Sequence, residues 1–281
     1  MDTELLRLSA FVSDGARGGN PAGVWLGDEL PSPEEMLRVA AEVGYSETAF
    51  NQRLDERRWL TRYYSPQAEV TFCGHATIAT GVALGERYGP GRFVLETVGG
   101  EVPVDVEETG DGSFRATLTS VEPAGRPLPD ELLAAVLGAL SWPAEVLDRD
   151  LPPGLAYAGA WHLVLPVESR SRLAEMAYDF DRMRAVMLAH DLTTIQIVHR
   201  EGPSTYHARD PFPVGGVVED PATGAAAAAF GAHLRAHGLL DPPARFTIHQ
   251  GYDLGRPSDL LVTVPPAGGI SVTGAAAPIS A

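Results

Sequence analysis

Lysine is missing from this 281-residue sequence: all 21 basic residues are arginine, set against 37 acidic ones. Without a side-chain primary amine there is no pyridoxal Schiff base, no Schiff-base aldolase and no Walker-A lysine. Cysteine is nearly missing too, because Cys73 stands alone. One thiol excludes an internal disulfide, a zinc site built of cysteines and a racemase that works with two thiols. Positive charge is scarce, and the net charge of −16 argues against non-specific binding to nucleic acid or anionic membranes, which depends on a basic patch. Long apolar runs are also lacking. The opening MDTELLRLSA is acidic and broken by Arg7, unlike a secretion signal. The longest charge-free stretch, residues 260–281, contains Pro265, Pro266, Gly268, Gly269 and Pro278 and is a poor membrane span. A soluble, cytoplasmic protein is the expectation.

Glycine and proline are plentiful. Thirty Gly and 23 Pro make up about 19% of the chain, above the usual ~12%. That favours turns and short strands over a helical bundle. The length suits one large domain or two of about 140 residues, enough for a core without disulfides or metals.

The order of patterns repeats. In the first half, residues 6–11 alternate, a glycine-rich turn follows, and residues 22–26 are apolar. Pro33, Glu34 and Glu35 suit a first helical turn. Met36, Val39, Ala40 and Val43 have helical spacing, and Gly44 ends the run. A strand starts at Thr48, and residues 58–64 alternate. The run CGHATIATGVALGERYG is apolar almost all round, which predicts a buried helix. RFVLETVGGEVPVDVEE reads as strand, Gly-Gly turn and strand.

The second half gives the same order: the strand GAWHLVLPV, a single helical stretch SRLAEMAYDFDRMRAVMLAHD, the strand TTIQIVHR, a second buried helix from DPATGAAAAAFGAHLRAHG, and a closing RFTIHQGYDLGRPSDLLVTV. Arg92-Phe93 and Arg245-Phe246 lie 153 residues apart. So long a period means a duplicated domain rather than a solenoid. It predicts two lobes, 1–120 and 121–269, with a strand near 270–281 that can return to the first. A small-molecule site is then expected in the cleft between them.

Each predicted buried helix begins with small residues: Gly74 and Ala76 in one, Thr223, Gly224 and Ala225 in the other. The first N–H groups of a helix lack internal partners, and the dipole makes that end attractive to an anion. Glycines serve equally well for close helix packing, so both readings stand. Glu47, in Ser46-Glu47-Thr48-Ala49-Phe50, has a counterpart near Thr194, so its carboxylate belongs to one half only. A carboxylate in a cleft can take and return a proton, and 37 acidic residues compete for that part. His75 lies in the first turn of the first buried helix, where a neutral imidazole polarises a carbonyl or relays a proton; local packing is the alternative. Asp220 before Pro221 fits an ordinary N-cap followed by proline, or a carboxylate in the cleft. Cys73 reads as a buried structural thiol. His207, His233 and His237 read as surface or packing residues, and the seven histidines other than His75 show no metal spacing.

Five stretches resemble the PhzF-like phenazine-biosynthesis isomerase family, which is related in fold to diaminopimelate epimerase. They are GNPAGV (19–24), YSETAF (45–50), EVTFCGHATIAT (69–80), EDPATGAAAAAFGAHL (219–234) and, more softly, QGYDLGRPSDLLV (250–262). They occur in the family's order. The resemblance implies an α+β fold of two pseudo-symmetric lobes, each a mostly antiparallel sheet wrapped around a central buried helix. It also implies isomerisation of trans-2,3-dihydro-3-hydroxyanthranilate or a similar molecule by moving a hydrogen within it, with no cofactor and no metal. On this reading the family's proton-shuttling glutamate falls on Glu47. Its other catalytic positions fall on His75 and Asp220. Its substrate-binding positions fall on Asn20, Ser46, Gly74 and Gly224. Position 225 departs from the pattern: the family commonly has serine there, and this sequence has Ala225. One hydroxyl, worth roughly 0.5–1.5 kcal/mol as a hydrogen bond, is lost or its substrate partner differs.

The expectation is therefore a cofactor-independent isomerase of a small carboxylate-bearing substrate, anthranilate-like or amino-acid-like. An amino-acid epimerase or racemase and a non-catalytic small-molecule binding protein are the alternatives. The first usually needs a base on each face of the substrate, which the lone Cys and unmatched Glu47 disfavour. The expected partner is a small molecule, not nucleic acid or a membrane, and the resemblance allows a homodimer.

Overall fold

The computed structural model describes residues 3–13 and 17–279. The chain divides into two compact units, residues 1–119 with 273–281 and residues 120–272.

Unit 1 contains β1 (Glu4–Ala10), β2 (Asn20–Gly27), α1 (Pro33–Val43), β3 (Glu47–Arg53), β4 (Arg58–Tyr64), β5 (Glu69–Val70), α2 (Gly74–Tyr88), β6 (Gly91–Thr97), β7 (Gly100–Glu108) and β8 (Phe114–Thr119). Its ladder runs β1–β2 antiparallel, β2–β3 parallel, β3–β4 antiparallel, β4–β6 parallel, then β6–β7 and β7–β8 antiparallel. The parallel steps need crossovers, and α1 and α2 supply them.

α1 forms where the sequence signals it. Ser32 caps it by accepting from the Glu35 N–H at 3.3 Å, Pro33 occupies the first turn, and Gly44 closes it with φ 73°. Its Met36 and Ala40 pack on Trp25, Phe50 and Tyr64 outside the ladder. α2 is different: its residues 75–85 are all buried. It packs against β1, β2, β3, β7 and β8, so a hydrophobic surface on every face is what its surroundings require. Gly81 permits a close approach, since a Cβ there would meet Val104 Cγ1 at 2.7 Å and Ala116 Cβ at 2.8 Å.

Unit 2 contains β9 (Ala124–Arg126), α3 (Asp130–Leu140), β10 (Gly154–Tyr157), β11 (Trp161–Pro166), α4 (Arg170–Ala174), α5 (Phe180–Ala189), β12 (Thr194–Gly202), β13 (Thr205–Pro211), β14 (Glu219–Asp220), α6 (Gly224–Ala236), β15 (Ala244–Gln250) and β16 (Ser258–Val264). From β10 its ladder repeats the order of unit 1: antiparallel to β11, parallel to β12, antiparallel to β13, parallel to β15, antiparallel to β16. One sheet face packs on α3 and α5 through Leu132, Val136, Met183, Met187, Leu163, Leu165, Ile195 and Ile197. The last strand, β17 (Ser271–Pro278), returns to unit 1. It pairs with β8, and with β1 antiparallel through Leu8–Pro278 to Ala10–Ala276, so that ladder closes on itself.

One expected helix is two. The stretch from Ser171 onward breaks after Ala174 and restarts at Phe180. Asp179 caps the restart, accepting from the Arg182 N–H at 3.0 Å. The Arg209 guanidinium takes the carbonyls of Ala174 and Met176 at 3.1 and 3.2 Å. A distant side chain thus replaces the N–H donors that would have continued the helix.

Candidate active site

In unit 1, Asn20 opens β2 and Glu47 opens the parallel strand β3, with Ala22 directly opposite Glu47. Side chains two residues apart on a strand share a face, so Asn20, buried, stands at the same end and on the same face as Glu47. Across from them α2 begins. Cys73 is its N-cap residue and Gly74 its first residue, and no side chain caps it there. Its first turn is tied to β4. Thr77 donates to the Cys73 carbonyl at 2.7 Å, and the Tyr63 hydroxyl lies 2.6 Å from Thr77 Oγ1. Burial pushes the Tyr63 phenol well above its ordinary value, so it stays a donor, and the Thr77 oxygen is its acceptor.

This arrangement brings four side chains together. Glu47 Oε2 lies 3.4 Å from His75 Nε2, and Ser46 Oγ lies 3.4 Å from the same nitrogen. The Cys73 thiol is 3.5 Å from Glu47 Oε2 and 3.4 Å from His75 Nδ1. His75 and Cys73 are buried, Glu47 retains 19% side-chain exposure and Ser46 is exposed. The group therefore has a packed floor and an open top. A carboxylate and an imidazole in this contact can exchange a proton with a molecule set above them.

Unit 2 shows the corresponding places. Thr194 opens β12 opposite His162, as Glu47 opens β3 opposite Ala22. No carboxylate stands at that strand start, but one lies behind it. Thr194 Oγ1 donates to Asp210 Oδ1 at 2.9 Å and lies 2.9 Å from His162 Nδ1. Burial, with Asp220 and Glu219 nearby, raises the Asp210 carboxyl well above the carboxylate range despite the Thr194 bond. Burial lowers the His162 imidazole to about 3. The His162 imidazole is therefore neutral near pH 7.

Asp220 is not the helix N-cap that the Asp-Pro pair suggests. α6 starts later, with Thr223 in the N-cap position. Pairing of Asp210 with Asp220 holds residue 220 in an extended strand instead. Asp220 Oδ2 accepts from Thr223 Oγ1 at 2.6 Å. Gln250, fully buried, fastens this turn: its Nε2 donates to the Asp220 carbonyl at 2.8 Å and its Oε1 accepts the Thr223 N–H at 3.1 Å. Gly224 and Ala225 follow as the first residues of α6. Sequence reasoning missed the parts of Gln250 and Asp210, whose partners become visible only once β13, β14 and β15 are adjacent. His207 and His233 are held locally, by Glu201 at 3.2 Å and by the Pro152 carbonyl at 2.8 Å.

The family model described as phenazine biosynthesis-like protein matches residues 8–281. The chain belongs to this phenazine biosynthesis-like family. Among its relatives, the uncharacterized isomerase YfhB of Bacillus subtilis is 31% identical over 290 residues, covering 98% of this chain and 96% of that protein. The trans-2,3-dihydro-3-hydroxyanthranilate isomerase of Pseudomonas aeruginosa is 32% identical over 272 residues, covering 93% and 90%. These relatives place the protein among the isomerases. Of solved structures, the Bacillus anthracis phenazine biosynthesis protein of the PhzF family superposes with a TM-score of 0.85 at 24% identity, over 100% of this chain and 98% of that one. A hydroxyproline epimerase from Agrobacterium vitis shares the fold with a TM-score of 0.68 at 13% identity, over 99% and 91%. The α+β class is that of these neighbours. Among the described residues no helix is long and apolar enough to cross a membrane.

Proposed function

We propose that this protein is a cofactor-independent isomerase that moves a proton within a small carboxylate-bearing substrate, anthranilate-like or amino-acid-like, with Glu47 as general acid and base. The observation that carries the reading is the 3.4 Å contact of Glu47 with His75 at the uncapped start of α2. Glu47 takes a proton from an activated carbon, becoming the carboxylic acid, and returns it to a second carbon on the same face. His75 and Asp220 orient or polarise the substrate. Asn20, Ser46, Gly74, Gly224 and Ala225 bind it, and N–H groups at helix starts stabilise charge as it develops. The role of Asp220 and its neighbours rests on the motif alone. Alanine at 225 leaves only a backbone N–H there, which suits a substrate differing from the phenazine precursor at that point. We take the two units as descendants of one duplicated, pseudo-symmetric lobe, with boundaries near 120 and 270; the recurring ladder order supports this. A cytoplasmic homodimer belongs to the same reading.

Glu47→Gln tests it. The variant is expected to fold like the wild type and to lose turnover by ~10³-fold or more; retained turnover removes Glu47 from the mechanism. Reaction in heavy water separates the readings. Internal transfer with little solvent label supports an isomerase, label at a stereocentre supports an epimerase, and binding without turnover supports a binding protein.

A further inference from the structure

Gln250 and Gly251 open the stretch QGYDLGRPSDLLV, to which the proton-transfer reading gives no part. Gln250 ends β15 fully buried. It stands behind the 220–224 turn, whose Asp220, Thr223 and Ala225 are half-buried. Both hydrogens of its amide are committed. Nε2 donates to the Asp220 carbonyl at 2.8 Å and to Thr223 Oγ1 at 3.0 Å, and Oε1 accepts the Thr223 N–H at 3.1 Å. A carbonyl can only accept and a backbone N–H can only donate, which fixes the orientation of the amide. The Thr223 hydroxyl is fixed in turn. It has one proton, and with its oxygen accepting from Gln250 that proton goes to Asp220 Oδ2, 2.6 Å away. One buried amide thus directs a hydroxyl proton onto a carboxylate at the surface of the turn.

The start of α6 depends on this amide in a way that the start of α2 does not. In α2 the first turn is tied to β4 through Thr77 and Tyr63. The corresponding residue of α6 is Ala227: its N–H donates to the Thr223 carbonyl at 3.0 Å, as that of Thr77 donates to the Cys73 carbonyl at 3.0 Å. Alanine has no hydroxyl to offer, and no side chain caps α6. Gly251 adds a backbone contact, since a Cβ there would stand 2.7 Å from the Pro221 carbonyl oxygen. We infer that Gln250 is a positioning residue of the substrate-binding turn. Through the Thr223 hydroxyl it sets the Asp220 carboxylate, and through the Thr223 N–H it aims the start of α6, where Gly224 and Ala225 present their own N–H groups. Being buried behind the turn, it does not touch the substrate. The inference rests on the proposed parts of Asp220, Gly224 and Ala225 and is independent of Glu47.

The experiment measures calorimetric binding of anthranilate and of L-alanine to the full-length wild type, Gln250→Met, Thr223→Val, Thr223→Ser and the double variant Gln250→Met/Thr223→Val, with circular dichroism to confirm each fold. Gln250→Met and Thr223→Val are each expected to weaken binding of whichever probe the wild type takes by ~10-fold or more, since a misplacement of about 1 Å can cost ~10²-fold. Thr223→Ser keeps the hydroxyl and is expected to bind like the wild type. The double variant is expected to be no weaker than the weaker single one, because both changes cut the same relay. Should Gln250→Met fold poorly, Gln250→Glu keeps the size and the acceptor for the Thr223 N–H, and the two Thr223 variants decide the rest. Wild-type affinity in a folded Gln250 variant, a Thr223→Ser as weak as Thr223→Val, or additive losses in the double variant overturn the inference. A wild type that binds neither probe overturns the proposed carboxylate substrate, and this inference with it. Weakened binding here together with retained turnover in Glu47→Gln keeps the part of Gln250 and removes that of Glu47.

Discussion

Arg209→Met will be costly out of proportion to its place on the molecule. Arg209 and Glu219 face each other across β13 and β14, with side chains 11% and 1% exposed. The guanidinium donates to the carboxylate at 3.0 and 3.2 Å from Nε and at 2.6 Å from Nη2. Nη1 donates to the carbonyls of Ala174 and Met176 at the end of α4. Removing the cation leaves a carboxylate buried without its partner, about 3–5 kcal/mol. Each released carbonyl adds up to ~1 kcal/mol, though the end of α4 has water as a substitute. The expected loss is about 4–6 kcal/mol, comparable with the whole net stability of many domains. Urea unfolding of wild type, Arg209→Met, Glu219→Met and the double variant measures it. The double variant removes the stranded charge and is expected to regain at least ~2 kcal/mol of the single variant's loss. A single variant within ~1 kcal/mol of wild type, or a double variant no better than the single, refutes the reasoning.

Asp210→Asn tests the buried acid. Because the folded-state value is raised, wild-type stability falls as pH rises above the unfolded carboxyl's value near 3.8 toward the folded one. Asn imitates the protonated form and lacks that loss. The variant is therefore expected to gain on wild type as pH rises above about 4, by up to about 1.4 kcal/mol per pH unit until the folded-state value is passed; a pH-independent difference in chemical denaturation refutes this. Gly81→Ala gains helix propensity of ~1 kcal/mol but drives a methyl into Val104 and Ala116. A net destabilisation of about 0.5–2 kcal/mol by thermal or urea melting is expected, and a stabilised variant would show that β7 and β8 yield freely.

The two central helices were readable because burial on every side leaves a mark no surface helix carries, and α1 because its serine cap, proline and terminal glycine are local signals. What escaped is non-local. The break between α4 and α5 depends on Arg209, more than thirty residues away. α3, between two proline-rich stretches, drew no expectation, since its apolar surface is legible only beside α5. Cys73 reads as an inert core thiol because nothing within a few residues betrays Glu47, which β3 delivers from 26 positions earlier. The Asp-Pro pair misled for the same reason: strand pairing with Asp210 outweighs a capping preference worth ~1 kcal/mol.

The return of β17 to β1 has a consequence for how the molecule is made. Phe11 donates its N–H to the Ala275 carbonyl at 2.7 Å, and Ile279 donates to the Arg7 carbonyl at 2.9 Å. On the ribosome, the amino-terminal unit must wait for residue 279 to emerge before its ring of strands can shut. The intervening unit, contiguous in the chain, has every partner in its own ladder already out of the exit tunnel. Vectorial synthesis thus reverses the order of completion, and β1 spends the interval as an open edge in need of protection.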